Sequence, residues 1–156
     1  MGRRHLTRLA PLLAVLVVVA SAAAAGTIPF RIASHGISNP MRATAKPFAI
    51  LGTSRVTAHR IVVRVTPDVA QPVLLANFRK QIVLGVFGPF GCKDGRVRVA
   101  RVTQSGTMLI VHLSIKPLAP GMMECLAIYE TVRVLVLPRS ALHGTPTKAT
   151  VVVAGS

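Results

Sequence analysis

The chain is poor in acids, in aromatic rings and in cysteine, and each shortage narrows what it can be. Of 156 residues only four are Asp or Glu. These four, Asp68, Asp94, Glu124 and Glu130, all fall in or beside turn-forming stretches. Paired-carboxylate catalysis needs two acids held close together with different pKa values, and four scattered acids are a thin supply. There is no Trp and a single Tyr, so a surface that binds nucleic acid by base stacking has almost nothing to stack on. Specific nucleic-acid binding is not expected.

Metal and nucleophile chemistry find no frame either. His35, His59, His112 and His143 lack the spacing of a zinc site, and no Cys-x-x-Cys accompanies them. No Gly-x-Ser-x-Gly is present to form a nucleophile elbow. Gly85, Gly88 and Gly91 are spaced like a phosphate loop, but no Lys-Ser or Lys-Thr follows them. The patterns therefore predict no catalytic residue, no cofactor and no metal ligand. The chain reads as non-enzymatic.

What the sequence does carry begins at its N-terminus. Arg3, Arg4 and Arg8 precede an apolar run from Leu9 to Ala20, and small residues follow in Ala20-Ser21-Ala22 and Ala23-Ala24-Ala25. This order is that of a cleavable signal peptide over residues 1–25. The alternative is an uncleaved N-terminal membrane anchor. Leu9 to Ala25 is short for a bilayer core of roughly 30 Å and ends in weakly apolar alanine, which favours cleavage and leaves no stable membrane span. The expected destination is the cell envelope or the exterior.

Export changes how the two cysteines read. In an oxidising compartment an even pair is most simply a disulfide, here Cys92 with Cys125. The bond would bring Asp94 and Glu124 into one neighbourhood. It would stabilise by about 3–4 kcal/mol through the loop it closes.

The formal net charge is +15, enough to attract polyanions by counterion release and long-range steering. The arginines are scattered from Arg31 to Arg139 and never form a block.

Behind the signal, residues 26–46 are polar and turn-rich and read as a flexible arm. Residues 47–156 read as one β-rich domain. Phe48 to Leu51 is a short apolar run ended by Gly52. Arg60 to Val65 alternates like a half-buried strand. Val69 to Lys80 is the one stretch that admits a helix, so at most one short helix is expected near residues 69–80. Gln81 to Phe87 is unbroken and apolar, as in a central strand covered on both faces. Arg96 to Thr103 and Thr107 to Lys116 form a hairpin, with Leu109, Val111, Leu113 and Ile115 on one face of its second strand. Val132, Val134 and Val136 mark another strand, and Thr150 to Ala154 a last one. The fold class is mainly β, a single small twisted sheet closing into a sandwich or barrel.

The run Phe78-Arg79-Lys80-Gln81-Ile82-Val83-Leu84-Gly85-Val86-Phe87-Gly88 resembles the start of the PrcB C-terminal domain family. The hairpin that follows, the break at Pro117-Leu118-Ala119-Pro120-Gly121 and the strand ending Val134-Leu135-Val136-Leu137-Pro138 are similar to that family's plan. Pro89-Phe90-Gly91-Cys92 stands where the family usually carries Thr-Gly-Gly-Tyr, and Thr131 where it usually has a proline. The resemblance covers about residues 77–139. It implies an exported accessory module associated with a protease complex, without catalytic residues.

These readings converge on an exported binding domain whose partner is an envelope or extracellular protein. Its contact surface is expected at strand edges and at two loops, with Gly88, Pro89, Phe90, Gly91, Pro120 and Gly121 as candidates. The alternative is a basic wall or secreted protein that binds an acidic polymer.

Overall fold

A computed structural model describes residues 26–39, 44–123 and 129–154. The expected signal peptide and Cys125 lie outside the described residues. Eight strands form: β1 (Thr27–Ile28), β2 (Arg31–Ile37), β3 (Phe48–Gly52), β4 (Gln81–Gly88), β5 (Val97–Ser105), β6 (Met108–Ile115), β7 (Thr131–Pro138) and β8 (Lys148–Val153). Two helices, α1 (Arg55–Val62) and α2 (Pro67–Leu74), lie between β3 and β4. The chain is mainly β, as its composition predicts.

The strands make two four-stranded sheets, ordered β2–β7–β4–β3 and β1–β5–β6–β8. Of the expected forms the sandwich is the one found: two separate sheets stack, in place of a single sheet, and neither closes into a barrel. Ile82, Leu84 and Val86 of β4, with Leu135 and Leu137 of β7, pack against Ile28, Val102, Leu109, Val111 and Leu113 of the second sheet. The opposite face of the same two strands, through Val83, Phe87, Val132, Val134 and Val136, packs against Ala58, Ile61, Val69 and Val73 of the helices. The first sheet is thus the middle of three layers. This is why β4 reads as an unbroken apolar run and β7 as one interrupted only by Arg133, while β6 alternates: the outer face of the second sheet meets solvent.

The helical layer departs most from the sequence reading. Residues 60–62 are helix, not strand, and two helices stand where at most one was expected near 69–80. A capping box starts α1: Ser54 Oγ accepts from Thr57 N at 3.2 Å, and Ser54 N donates to Thr57 Oγ1 at 3.0 Å. Once the helix is nucleated, Ala58 and Ile61 form its buried side, and Val65 beyond its end joins the same cluster, whereas the alternation of Ile61, Val63 and Val65 imitates a strand. Pro67 begins α2 at a position where no N–H is needed, and α2 ends at Leu74, short of residue 80.

Residues 26–39 of the expected arm carry two strands. Within residues 26–46, β1 pairs with β5, and β2 pairs with β7 through a register shift between Ile32 and Ser34. The β5–β6 hairpin turns through Gly106-Thr107, with Ser105 opposite Met108. Gly106 has φ +56°, the positive value that a two-residue hairpin with glycine first requires. β8 runs parallel to β6.

Candidate functional site

The loop after β4 is a wound segment rather than an open flap. Gly91–Arg96 is a 3₁₀ turn, and side chains from β7 hold it down. Arg133 Nη1 lies 2.8 Å from Asp94 Oδ1. Arg133 Nη2 donates to the Asp94 carbonyl at 2.7 Å and to the Val97 carbonyl at 3.2 Å. Thr131 Oγ1 donates to Asp94 Oδ1 at 2.6 Å, and the Arg133 guanidinium sits 5.7 Å from the Phe90 ring centroid. Arg133 is nearly buried, so its charge is neutralised and hydrogen-bonded where water cannot serve it.

This geometry sorts the loop residues singled out from sequence. Gly88, Phe90 and Gly91 are buried and Pro89 is half-buried, whereas Pro120 and Gly121 are exposed. Phe90 and the two glycines therefore shape the loop from within, and Pro120 and Gly121 are the candidates that stand open to solvent. The two loops do meet at their bases. Lys116 N donates to the Arg96 carbonyl at 2.9 Å, and Arg96 Nη1 donates to the Lys116 carbonyl at 2.9 Å. Beyond that tie, Lys116, Pro117, Ala119, Met122 and Met123 are exposed, Met123 almost completely at 96%. Cys92 is not a free thiol.

Glycine spacing in this region follows packing. A Cβ at Gly85 would come within 2.8 Å of the Phe87 ring and 3.1 Å of Ile61, and one at Gly88 within 2.2 Å of the Phe90 ring. Both glycines clear space for a ring or a helix.

The acids do not assemble. Asp94 belongs to Arg133. Glu130, expected near a turn, is completely buried and pairs with Arg64 at 3.5 Å. Asp68 lies in the first turn of α2, where the Thr66 hydroxyl holds its carboxyl below its ordinary value. Glu124 lies outside the described residues. Nor do the histidines meet: His35, His59 and His143 are exposed on separate elements. His112, on the outer face of the second sheet, contacts Thr103 Oγ1 through Nε2 at 3.1 Å. Among the described residues no three His, Cys, Asp or Glu side chains are grouped to hold a metal ion.

With Asp94 and Glu130 neutralised internally, the exposed charge among the described residues is basic apart from Asp68. Arg31, Arg55, Arg60, Arg79, Arg98, Arg101, Lys116 and Lys148 all stand exposed. Sequence reasoning missed Arg64, Arg133 and Glu130 as structural ion-pair members, because strand pairing and helix packing decide their burial. Compared with family models, with curated proteins and with solved structures, the chain matches none.

Proposed function

We propose that the chain is an exported binding domain that associates with, and helps to stabilise, another protein of the cell envelope. The observation that carries this reading is the end of the sandwich formed by the Gly91–Arg96 turn and the residues after β6. An internal network fixes its base, and it presents Met122 and Met123 to solvent. A pre-organised base lowers the ordering cost of association, and exposed methionines form an adaptable apolar contact. A Cys92–Cys125 disulfide would secure the same end from the other side of the loop, and intact mass with and without reductant reads it directly. The resemblance to the PrcB C-terminal domain family spans β4 to β7 and supports an accessory role beside a protease complex.

Co-purification from the envelope fraction tests the reading. Tagged wild-type protein should retain a discrete protein through a high-salt wash, and Met122→Asp with Met123→Asp should lose it. Recovery of no protein partner would contradict the proposal.

A second reading, binding to an acidic polymer, draws on the outer face of the second sheet, where exposed Arg98, Arg101 and Lys148 share a surface with His112. It requires retention on an acidic polymer that falls steeply with salt; retention unchanged between low and high salt eliminates it.

A further inference from the structure

The helical layer carries a groove that neither contact end described above uses. One hollow, about 510 Å³, lies between the start of α1 and the segment after α2, and its walls include Arg55, Leu75, Phe78 and Arg79. A second hollow, about 210 Å³, lies between α1 and α2, and its walls include Arg55, His59, Val62, Leu74 and Phe78. Arg55 and Phe78 line both, so the two hollows adjoin, and together they are taken as one groove.

The lining mixes apolar Leu74, Leu75 and Phe78 with polar Thr53, Ser54 and Asn77, and Arg55 and Arg79 bring positive charge. Leu74 and Leu75 remain 58% and 76% exposed, an unusual concentration of aliphatic surface on so short a stretch. Among the described residues no Asp or Glu lines either hollow. Its two walls are also fixed to each other. Arg139 donates through Nε to the Phe78 carbonyl at 2.7 Å and through Nη2 to the Thr53 carbonyl at 2.6 Å. These bonds clamp the segment after α2 to the segment before α1. The groove exists before anything binds.

We propose that this groove docks an acidic, amphipathic segment of a partner protein, with apolar side chains in the two hollows and carboxylates against Arg55 and Arg79. Charge decides the occupant. The chain has only four acids, and the one stretch that sets apolar residues between two of them, residues 124–130, ends in Glu130, which is buried against Arg64, so the chain does not supply the segment itself. Its apolar N-terminal stretch carries Arg3, Arg4 and Arg8 and would be repelled, as would a second copy of so basic a chain. Two adjoining hollows fit protruding residues of a peptide, in the manner of a helix laid in a groove, better than they fit a flat lipid surface. The inference rests on the reading of the chain as a binding domain and assigns it a second surface, on the layer opposite the outer face of the second sheet.

The test titrates the mature protein into a labelled synthetic peptide of Leu, Ala and Glu, about 15 residues long so that it can hold a helix. Fluorescence anisotropy follows binding, and anionic phospholipid vesicles are run in parallel. The wild type should bind the peptide saturably and more weakly as salt rises. Leu75→Asp, and separately Arg55→Glu with Arg79→Glu, should each weaken binding by about ten-fold or more, the equivalent of roughly 1.4 kcal/mol. Met123→Asp should leave it unchanged, and a peptide with Lys in place of Glu should not bind. All four positions are exposed, and circular dichroism of each variant confirms that it folds. Absence of peptide binding, binding indifferent to the groove substitutions, or binding of vesicles but not peptide overturns the proposal. An envelope partner that is recovered equally well by the groove variants would sink the groove alone and leave the binding-domain reading standing.

Discussion

Arg64 and Glu130 meet inside the fold, with Arg64 Nη2 3.5 Å from Glu130 Oε1 and the carboxylate completely buried. The guanidinium also lies 5.0 Å from the Phe48 ring centroid and 5.4 Å from that of Phe87, whose rings stack 5.1 Å apart. Among the described residues neither carboxylate oxygen of Glu130 takes a hydrogen bond. The pair therefore couples the end of the helical layer to the start of β7 through charge and ring contact, at a high desolvation cost.

Such a pair is costly to break and cheap to replace. Arg64→Met alone should destabilise the domain by about 3–5 kcal/mol, because it leaves a buried carboxylate without its counter-charge. Arg64→Met combined with Glu130→Leu should restore most of that loss. Urea unfolding of the two single variants and the double variant reads the coupling.

The Asp94–Arg133 pair makes a different prediction, because both partners are also hydrogen-bonded. Asp94→Asn should cost about 1–3 kcal/mol, the range for a lost charged hydrogen bond at a partly buried site. Amide exchange in residues 91–96 should quicken in step. Unchanged exchange would mean that the network does not hold the loop.

Close approach of α1 to the middle sheet sets a third expectation. A Cβ at Gly52 would lie 2.7 Å from the Ala58 Cβ and 2.9 Å from the Ala58 Cα, so relief requires the helix itself to move. Gly52→Ala should destabilise by about 1–3 kcal/mol, as overpacking does. Gly95→Ala, where nothing lies within 4 Å, should have little effect and serves as the control.

His112 gives the stability a pH dependence with a defined direction. Burial, and secondarily the charge of Arg101 opposite it on β5, hold its pKa below the ordinary 6.5. The unfolded chain therefore takes up the proton first as pH falls. This contribution is complete above the unfolded pKa, is lost as pH falls from there through the folded pKa, and is constant below that. Histidine ring resonances followed by NMR should titrate below 6.5, and Arg101→Gln should recover part of the depression. A value at or above 6.5 would contradict the account.

Legibility in the sequence followed the number of faces that each element buries. β4 and β7 announce themselves because helices cover one face and the second sheet covers the other. β6 is equally plain because only one of its faces is covered. α1 was hidden because Ile61, Val63 and Val65 alternate in sequence, while the signal that decides for helix is the Ser54–Thr57 cap. Chemistry was less legible than fold. Asp94 and Glu130 look like solvated turn acids until pairing with β7 and α1 places Arg133 and Arg64 against them. Phe90 looks like a loop-tip contact until Arg133 draws it inward. The exposed ends, Met122-Met123 and Leu74-Leu75, carry no motif, since exposure is a property of the packed domain.

Site-specific photocrosslinking in the native envelope tests the central claim, that this is an exported domain with a protein partner, most directly. A photoreactive residue placed at Met123 should give one discrete adduct with another envelope protein, and the same residue at exposed Ser140 should give none. No adduct at Met123, or identical adducts at both positions, would contradict the account.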